Sequence, residues 1–224
     1  VKATPAEIIV QPGDSIQEAI NNASTGDTIL VKAGTYYEHV VVSQTVALIG
    51  ENKSITIIDG GGTGVVILSN ASDVEVRGFT IQNGEVSMGN GILAGRRSIG
   101  NIIRDNIIRN NAYGISLIGS NGCNIINNLV INNSWAGIQI RDSNNNSIYE
   151  NTIAKNSWGV EILTPSAFNN TFYHNNFIDN LNQAQSFALT TNWDNGTEGN
   201  YWSDFTGEDS DSNGIGDTPY TIQF

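Results

Sequence analysis

Apolar residues recur in short alternating groups through the middle of the chain, and asparagine and glycine punctuate them at fixed intervals. One segment places Asn101, Ile103, Asn106, Ile108, Asn111, Gly114, Ile115 and Leu117 in order. A second, Asn146, Ile148, Asn151, Ile153, Asn156, Gly159, Val160 and Ile162, has the same internal spacing. Between them lie Ile125, Asn128, Val130, Asn133, Gly137, Ile138 and Ile140, and the series continues with Asn170, Phe172, Asn175, Phe177 and Asn180. A period of about 22 to 24 residues is too short for a helical hairpin but suits very short strands separated by turns.

This pattern predicts an all-β chain, a right-handed, single-stranded parallel β-helix in which each period forms one coil. Coils stacked ~4.8 Å apart pair backbone with backbone and place like residues above one another. Ile103, Ile125, Ile148 and Phe172 should form one inward column, and Ile108, Val130, Ile153 and Phe177 a second. Asn106, Asn128, Asn151 and Asn175 should form a third, in which side-chain amides bond up the stack. Upstream, the apolar runs Ile29–Val31, Val40–Val42, Val46–Ile49, Ile55–Ile58, Val65–Leu68 and Val74–Ile81 carry the coils back to about residue 28. Before them, Asp14-Ser15-Ile16-Gln17-Glu18-Ala19-Ile20 reads as an N-capped amphipathic helix that covers the open first coil. The expected layout is a single domain over 1–224, with an N-terminal cap (1–27), coils (28–190) and a C-terminal cap (191–224).

Composition sharpens this picture. Charged residues make up only 14% and prolines number four, which favours strands and turns over disorder. The net charge of −12 argues against a nucleic-acid partner. Residues 183–224 contain Asp194, Glu198, Asp204, Glu208, Asp209, Asp211 and Asp217 but no Lys or Arg, a distribution that calls for a cation. A lone Cys123 rules out an internal disulfide; it reads as a small filler in the outer part of a turn. No run approaches the ~18 apolar residues of a membrane span, and the first residues do not read as a signal peptide, so a processed, soluble form is expected. Sequons at Asn22, Asn52, Asn70, Asn132, Asn145, Asn169 and Asn195 are N-glycosylation candidates and suit a secreted or cell-surface location.

The opening Pro12-Gly13-Asp14-Ser15-Ile16-Gln17-Glu18-Ala19-Ile20, with Gly26-Asp27-Thr28-Ile29-Leu30-Val31 and Gly34-Thr35-Tyr36-Tyr37-Glu38, resembles the start of pectin-lyase-like β-helix proteins. The later coils resemble carbohydrate-binding and sugar-hydrolase (CASH) repeats, specifically those of NosD-type proteins of archaeal cell surfaces. Gly199-Asn200-Tyr201-Trp202-Ser203-Asp204 and Asp209 to Tyr220 are similar to the C-terminal signature of that group. The resemblance covers nearly the whole chain. It implies a fold that hosts lyases, hydrolases, epimerases, binding modules and surface-layer components.

Three constellations carry candidate chemistry. Asp209, Asp211, Asn213, Ile215 (through its carbonyl) and Asp217 place oxygen ligands at alternate positions around Gly214, the ligand logic of a calcium loop, although Tyr220 stands where a bidentate Glu would complete it. Calcium is thus the expected cofactor, with a structural role in fastening a tail that includes Tyr201, Trp202, Phe205 and Tyr220. Tyr113, Trp135 and Trp158 precede the turn glycines of three consecutive coils and are expected to stack vertically, as turn supports or as a sugar platform, with Gln139 and Glu161 as hydrogen-bonding neighbours. Arg77, Arg104, Asp105, Arg109, Arg141, Asp142, Glu150 and Glu161 are scattered over separate coils and show none of the clustered carboxylates of polygalacturonases, so no catalytic residue is assigned. The copper label of NosD-type proteins asks for soft ligands, and His39, His174, Met88 and Cys123 form no spaced cluster.

The reading that follows is a non-catalytic extracellular β-helix, structural or carbohydrate-interacting and stabilised by calcium. Its rivals are a polysaccharide lyase, hydrolase or epimerase, and a self-assembling subunit of a surface layer, sheath or filament.

Overall fold

The computed structural model describes residues 4–95, 98–210 and 215–224. Among these, the strands form three parallel sheets of eight, eight and seven members, and each sheet takes one strand from successive coils. A typical coil runs through Ile102–Arg104 in the first sheet, Ile107–Arg109 in the second and Tyr113–Ile118 in the third. The chain is an all-β, right-handed parallel β-helix.

Inward columns follow from the register. Ile29, Leu48, Val76, Ile103, Ile125, Ile148 and Phe172 align in the first sheet. Tyr36, Ile58, Ile81, Ile108, Val130, Ile153, Phe177 and Trp202 align in the second. These residues are almost wholly buried in one continuous core.

The asparagines divide into two kinds. Buried ones form ladders at the corners. Asn106 Nδ2 donates to Asn128 Oδ1 at 3.2 Å, Asn128 to Asn151 at 3.0 Å, Asn151 to Asn175 at 2.9 Å and Asn175 to Asn200 at 2.9 Å. A parallel ladder of Asn111, Asn133, Asn156 and Asn180 occupies the corner between the second and third sheets. Exposed ones such as Asn110, Asn127, Asn132, Asn145 and Asn169 hold the left-handed backbone of the turns, with φ between 50° and 57°. Asparagine tolerates that conformation better than other side chains of its size.

Cys123 is not in the outer part of a turn. It is 1% exposed and occupies the ladder position between Asn101 and Asn146, where its N–H donates to Asn146 Oδ1 at 2.8 Å. A thiol is small enough for that inward site, and burial pushes its pKa up.

Coils also begin earlier than residue 28. Glu7–Val10 pairs in register with Thr28–Val31, so the first sheet opens before the helix. Helix α1 (Ile16–Asn22) buries Ile16, Ala19 and Ile20 in the common core, with Ser15 accepting from Glu18 N–H at its start. Glu38 accepts from Ile16 N, Gln17 N and Ser15 Oγ, while Gln44 donates to the carbonyls of Ile20 and Ala23. Gln17 accepts from Val41 N at 2.7 Å and donates to Val41 O at 3.1 Å. Val40–Val42 is the terminal strand of the third sheet, and this side-chain amide supplies the hydrogen bonds a further strand would make.

At the other end Thr171 bridges to Asn192, Tyr201–Trp202 extends the second sheet, and Gln223 bridges to Gln185 of the third. The tail thus contributes to a last, interrupted coil.

Candidate functional site

The outer face of the third sheet is where chemistry collects. Its outward register reads Val41, Leu68, Leu93, Ser116, Gln139, Glu161 and Gln185, an apolar column that turns polar at the fourth strand. Outward residues of a solenoid are ordinarily wet, yet Ser116 is 0%, Gln139 5% and Glu161 4% exposed. Glu161 holds its place through two donors: Trp135 Nε1–H to Oε2 at 3.0 Å and Gln185 Nε2–H to Oε1 at 3.3 Å. Ser116 Oγ–H donates to Asn90 Oδ1. Burial raises the Glu161 pKa, and the Trp135 N–H opposes that rise by favouring the carboxylate.

The three aromatics do not stack as one column. Tyr113 aligns with Ala136, and Ala136 with Trp158. Trp135 sits one residue earlier in its coil, where its N–H bonds Ala112 O and its carbonyl accepts from Trp158 N. The cause is a one-residue insertion: four positions separate Asn133 from Gly137, against three from Asn111 to Gly114. An extra residue in one strand bulges outward. It leaves Trp135 50% exposed, tilted at 6.4 Å against Tyr113 and hydrogen-bonded to Glu161 on the next coil. Tyr113 and Trp158 flank it, both half-buried.

Arg141 lies two residues beyond Gln139 on the same strand and is exposed. The registered outer positions of this sheet hold one carboxylate, Glu161, so the paired carboxyls of a glycosidase are not assembled there. Other charged candidates lie on other sheets. Arg77 and Arg104 are adjacent in the first sheet and share Glu75 at 3.2 and 2.6 Å, with Arg104 also 2.6 Å from Asp105. Arg109 donates to Gln82 in the second sheet. Asp142 accepts from Ser166, and Glu150 is a left-handed turn residue.

Replacing Glu161 by Gln gives a pH signature. A carboxyl whose pKa is raised on folding binds its proton more tightly in the native state, so its burial penalty is absent below the unfolded pKa and fully present above the folded one. The parent protein should lose stability relative to E161Q as pH rises through that window. Denaturant midpoints measured from pH 3 to pH 8 test this; a difference constant with pH would refute it.

Asp211 and Asn213 of the acidic loop lie outside the described residues. Around them, Asp217 Oδ2 accepts from Ser210 N at 2.9 Å and Oγ at 2.5 Å, and Asp217 N–H bonds Glu208 O at 2.8 Å, closing the loop at its base. These Ser210 bonds hold the Asp217 pKa below its ordinary value. Among the described residues no three His, Cys, Asp or Glu side chains come together as a metal centre. All seven sequon asparagines are exposed. Asn195 Oδ1 accepts from Thr197 N and Oγ.

This architecture, three parallel sheets wound around one core, is the pectin-lyase-like right-handed β-helix fold. Its structure resembles the Geobacillus virus E2 ORF18 protein (TM-score 0.65, 19% identity, 76% of this chain and 42% of that one). It also resembles pectin methylesterase from Yersinia enterocolitica (TM-score 0.58, 17% identity, 80% and 70%) and a mutant of the PL6 family alginate lyase AlyGC (0.59, 15%, 77% and 28%). The chain therefore spans less than half the length of the viral protein and of the lyase. Residues 20–207 match the family described as periplasmic copper-binding protein (NosD), and the chain belongs to that family. No curated protein matches the sequence.

Copper, which the family description names, does not fit the side chains present. His39 engages both ring nitrogens, Nδ1 with Val65 O at 2.8 Å and Nε2 with Thr63 Oγ at 3.0 Å. His174 Nε2 lies 2.5 Å from Glu198, Cys123 is buried, and Met88 is exposed on a loop. They belong to different coils and supply no common set of soft ligands.

Proposed function

We propose that this chain is a non-catalytic β-helix working outside the cytoplasm, where it binds carbohydrate on the outer face of its third sheet. The observation that carries this reading is the Trp135–Glu161–Gln185 network. It presents an exposed indole beside a buried carboxylate whose two oxygens already have donors, with Gln139 adjacent. Such a face can stack on a pyranose ring and present the half-buried Gln185 amide oxygen to a hydroxyl, the combination of one apolar anchor with fixed polar groups that marks ligand sites. Structural neighbours support it: pectin methylesterase has been crystallised with hexasaccharides. The family description as periplasmic supports the location, and no helix among the described residues is long and apolar enough to cross a membrane.

Glu161 also favours a second reading. A carboxyl raised by burial is suited to donate a proton, and a polysaccharide-active enzyme would use it so. Native mass spectrometry with neutral and uronate oligosaccharides distinguishes the two. Adducts that vanish in Trp135→Ala and Trp158→Ala support a binding face, whereas altered masses of the free sugars indicate an enzyme. The absence of both adducts and altered sugars would overturn the carbohydrate reading and leave a structural role.

Calcium belongs to the same proposal, held by Asp209, Asp211, Asn213, the Ile215 carbonyl and Asp217. Clustered carboxylates repel one another without a counter-ion, and an ion there would tie the loop to the tail. Excess chelator should make residues beyond about 195 protease-sensitive while the coils resist. Equal resistance with chelator and with calcium would rule the ion out as a fastener.

A further inference from the structure

The corner between the second and third sheets carries a feature that the outer-face site does not use. Asn83, Asn110, Asn132, Lys155 and Asp179 each follow a registered strand position, Gln82, Arg109, Ile131, Ala154 and Ile178 respectively, so they stack one per coil. All five have φ between 51° and 58°. Beside them run two open depressions of about 390 and about 500 Å³ that share Asn132 and Ser134 and so form one trough along the solenoid axis. Its floor is polar, with stacked amides and the Ser134 and Ser157 hydroxyls. Its margins are apolar and open to solvent: Val86 is 71% exposed, Leu181 81% and the neighbouring Trp135 50%. Ser134 Oγ–H donates to Val86 O at 3.0 Å and fixes the first margin to the floor.

We propose that this trough binds a linear, neutral oligosaccharide lying parallel to the axis, about one sugar unit per coil; this rests on the carbohydrate reading of the adjoining Trp135 face and extends it. The occupant follows from physical fit. Amides that both donate and accept match sugar hydroxyls, and the apolar margins match the C–H faces of the rings. A rung spacing of ~4.8 Å is near the length of one extended sugar unit, whereas an extended peptide advances only ~3.3 Å per residue and drifts out of step. Nucleic acid is disfavoured by the chain's charge of −12. Lys155 and Asp179 contribute one charge of each sign, so the trough has no excess positive charge with which to hold a polyanion. Asn132 is also a sequon, so a glycan attached there would occupy the trough itself.

Calorimetric titration of the full chain, expressed without glycosylation, tests this with β-1,4-linked oligomers of glucose and of N-acetylglucosamine and α-1,4-linked oligomers of galacturonate, two to six units long. For the neutral series that binds, affinity should rise at least ten-fold from dimer to pentamer. Asn110→Gly combined with Asn132→Gly, which keeps a backbone conformation glycine adopts freely, should remove that gain and leave the dimer unchanged. Affinity independent of length, abolished only by Trp135→Ala, would overturn the trough and leave the face reading intact. Tighter binding of galacturonate than of both neutral series would overturn the neutral class. Binding of no oligomer would remove the carbohydrate reading and the trough with it.

Discussion

Asn128→Ala should be among the most damaging substitutions in the molecule, costing about 3–6 kcal/mol, as the sum of several buried polar groups left without partners at ~1–3 kcal/mol each. Asn128 Oδ1 accepts from the backbone N and from Nδ2 of Asn106, while its Nδ2 donates to Ile103 O and to Asn151 Oδ1. The side chain is 2% exposed, so water cannot replace the lost bonds without opening the core. The damage should also spread along the axis, because each rung orients the amide of the next. Denaturant unfolding together with amide hydrogen exchange checks this: protection should fall first in the coils containing Asn106 and Asn151. Replacement of the exposed Asn127, on the same corner, should cost much less when made to Gly, which accepts its φ of 50°. Equal losses for the two substitutions would refute the ladder as the source of stability.

The contrast between those neighbouring asparagines also marks how far the sequence could be read. The period, the inward isoleucine columns and the Asn106–Asn175 ladder were legible because every coil must solve the same packing problem with the same residues. Cys123 was not, since a single different residue in a ladder position looks like a turn filler until the register places it beside Asn101 and Asn146. Glu7–Val10 escaped because Ile8, Ile9 and Val10 form a continuous apolar run without the repeat's asparagines.

Trp135 is the instructive case. Its displacement was written in the sequence as the spacing of four between Asn133 and Gly137, but the repeat invites the eye to align aromatics with aromatics. The indole therefore reaches Glu161 on the next coil rather than joining a stack. The trough was invisible to motif reading for another reason. Its floor consists of turn residues whose side chains vary between Asn, Lys and Asp, and only their common backbone conformation reveals them as one column.

Trp202→Ala should detach the C-terminal end, with a stability loss of about 3–5 kcal/mol for an aromatic removed from a packed site. Trp202 is 9% exposed and lies between Phe177 (centroids 4.2 Å apart, planes at 10°) and Tyr220 (4.2 Å, 5°), with Trp193 tilted at 5.7 Å. It thus joins the last inward column to the tail. Tyr220 is further held by its hydroxyl donating to Asp204 at 3.0 Å, and burial together with that carboxylate pushes its pKa up to about 12. The folded state therefore keeps a proton that the unfolded chain releases, and the tail should lose stability as pH rises from 10 towards 12. Tyr220→Phe keeps the ring stack, should cost only ~0.5–1.5 kcal/mol and should abolish that alkaline slope. Limited proteolysis of Trp202→Ala should release the residues after about 203 whether or not calcium is present. If Trp202→Ala leaves the tail as resistant as in the parent, the aromatic stack is not what holds it, and attachment must rest on its other contacts, among them the Gln185–Gln223 bridge and the Gln183 bonds to Ser203 and Asp204.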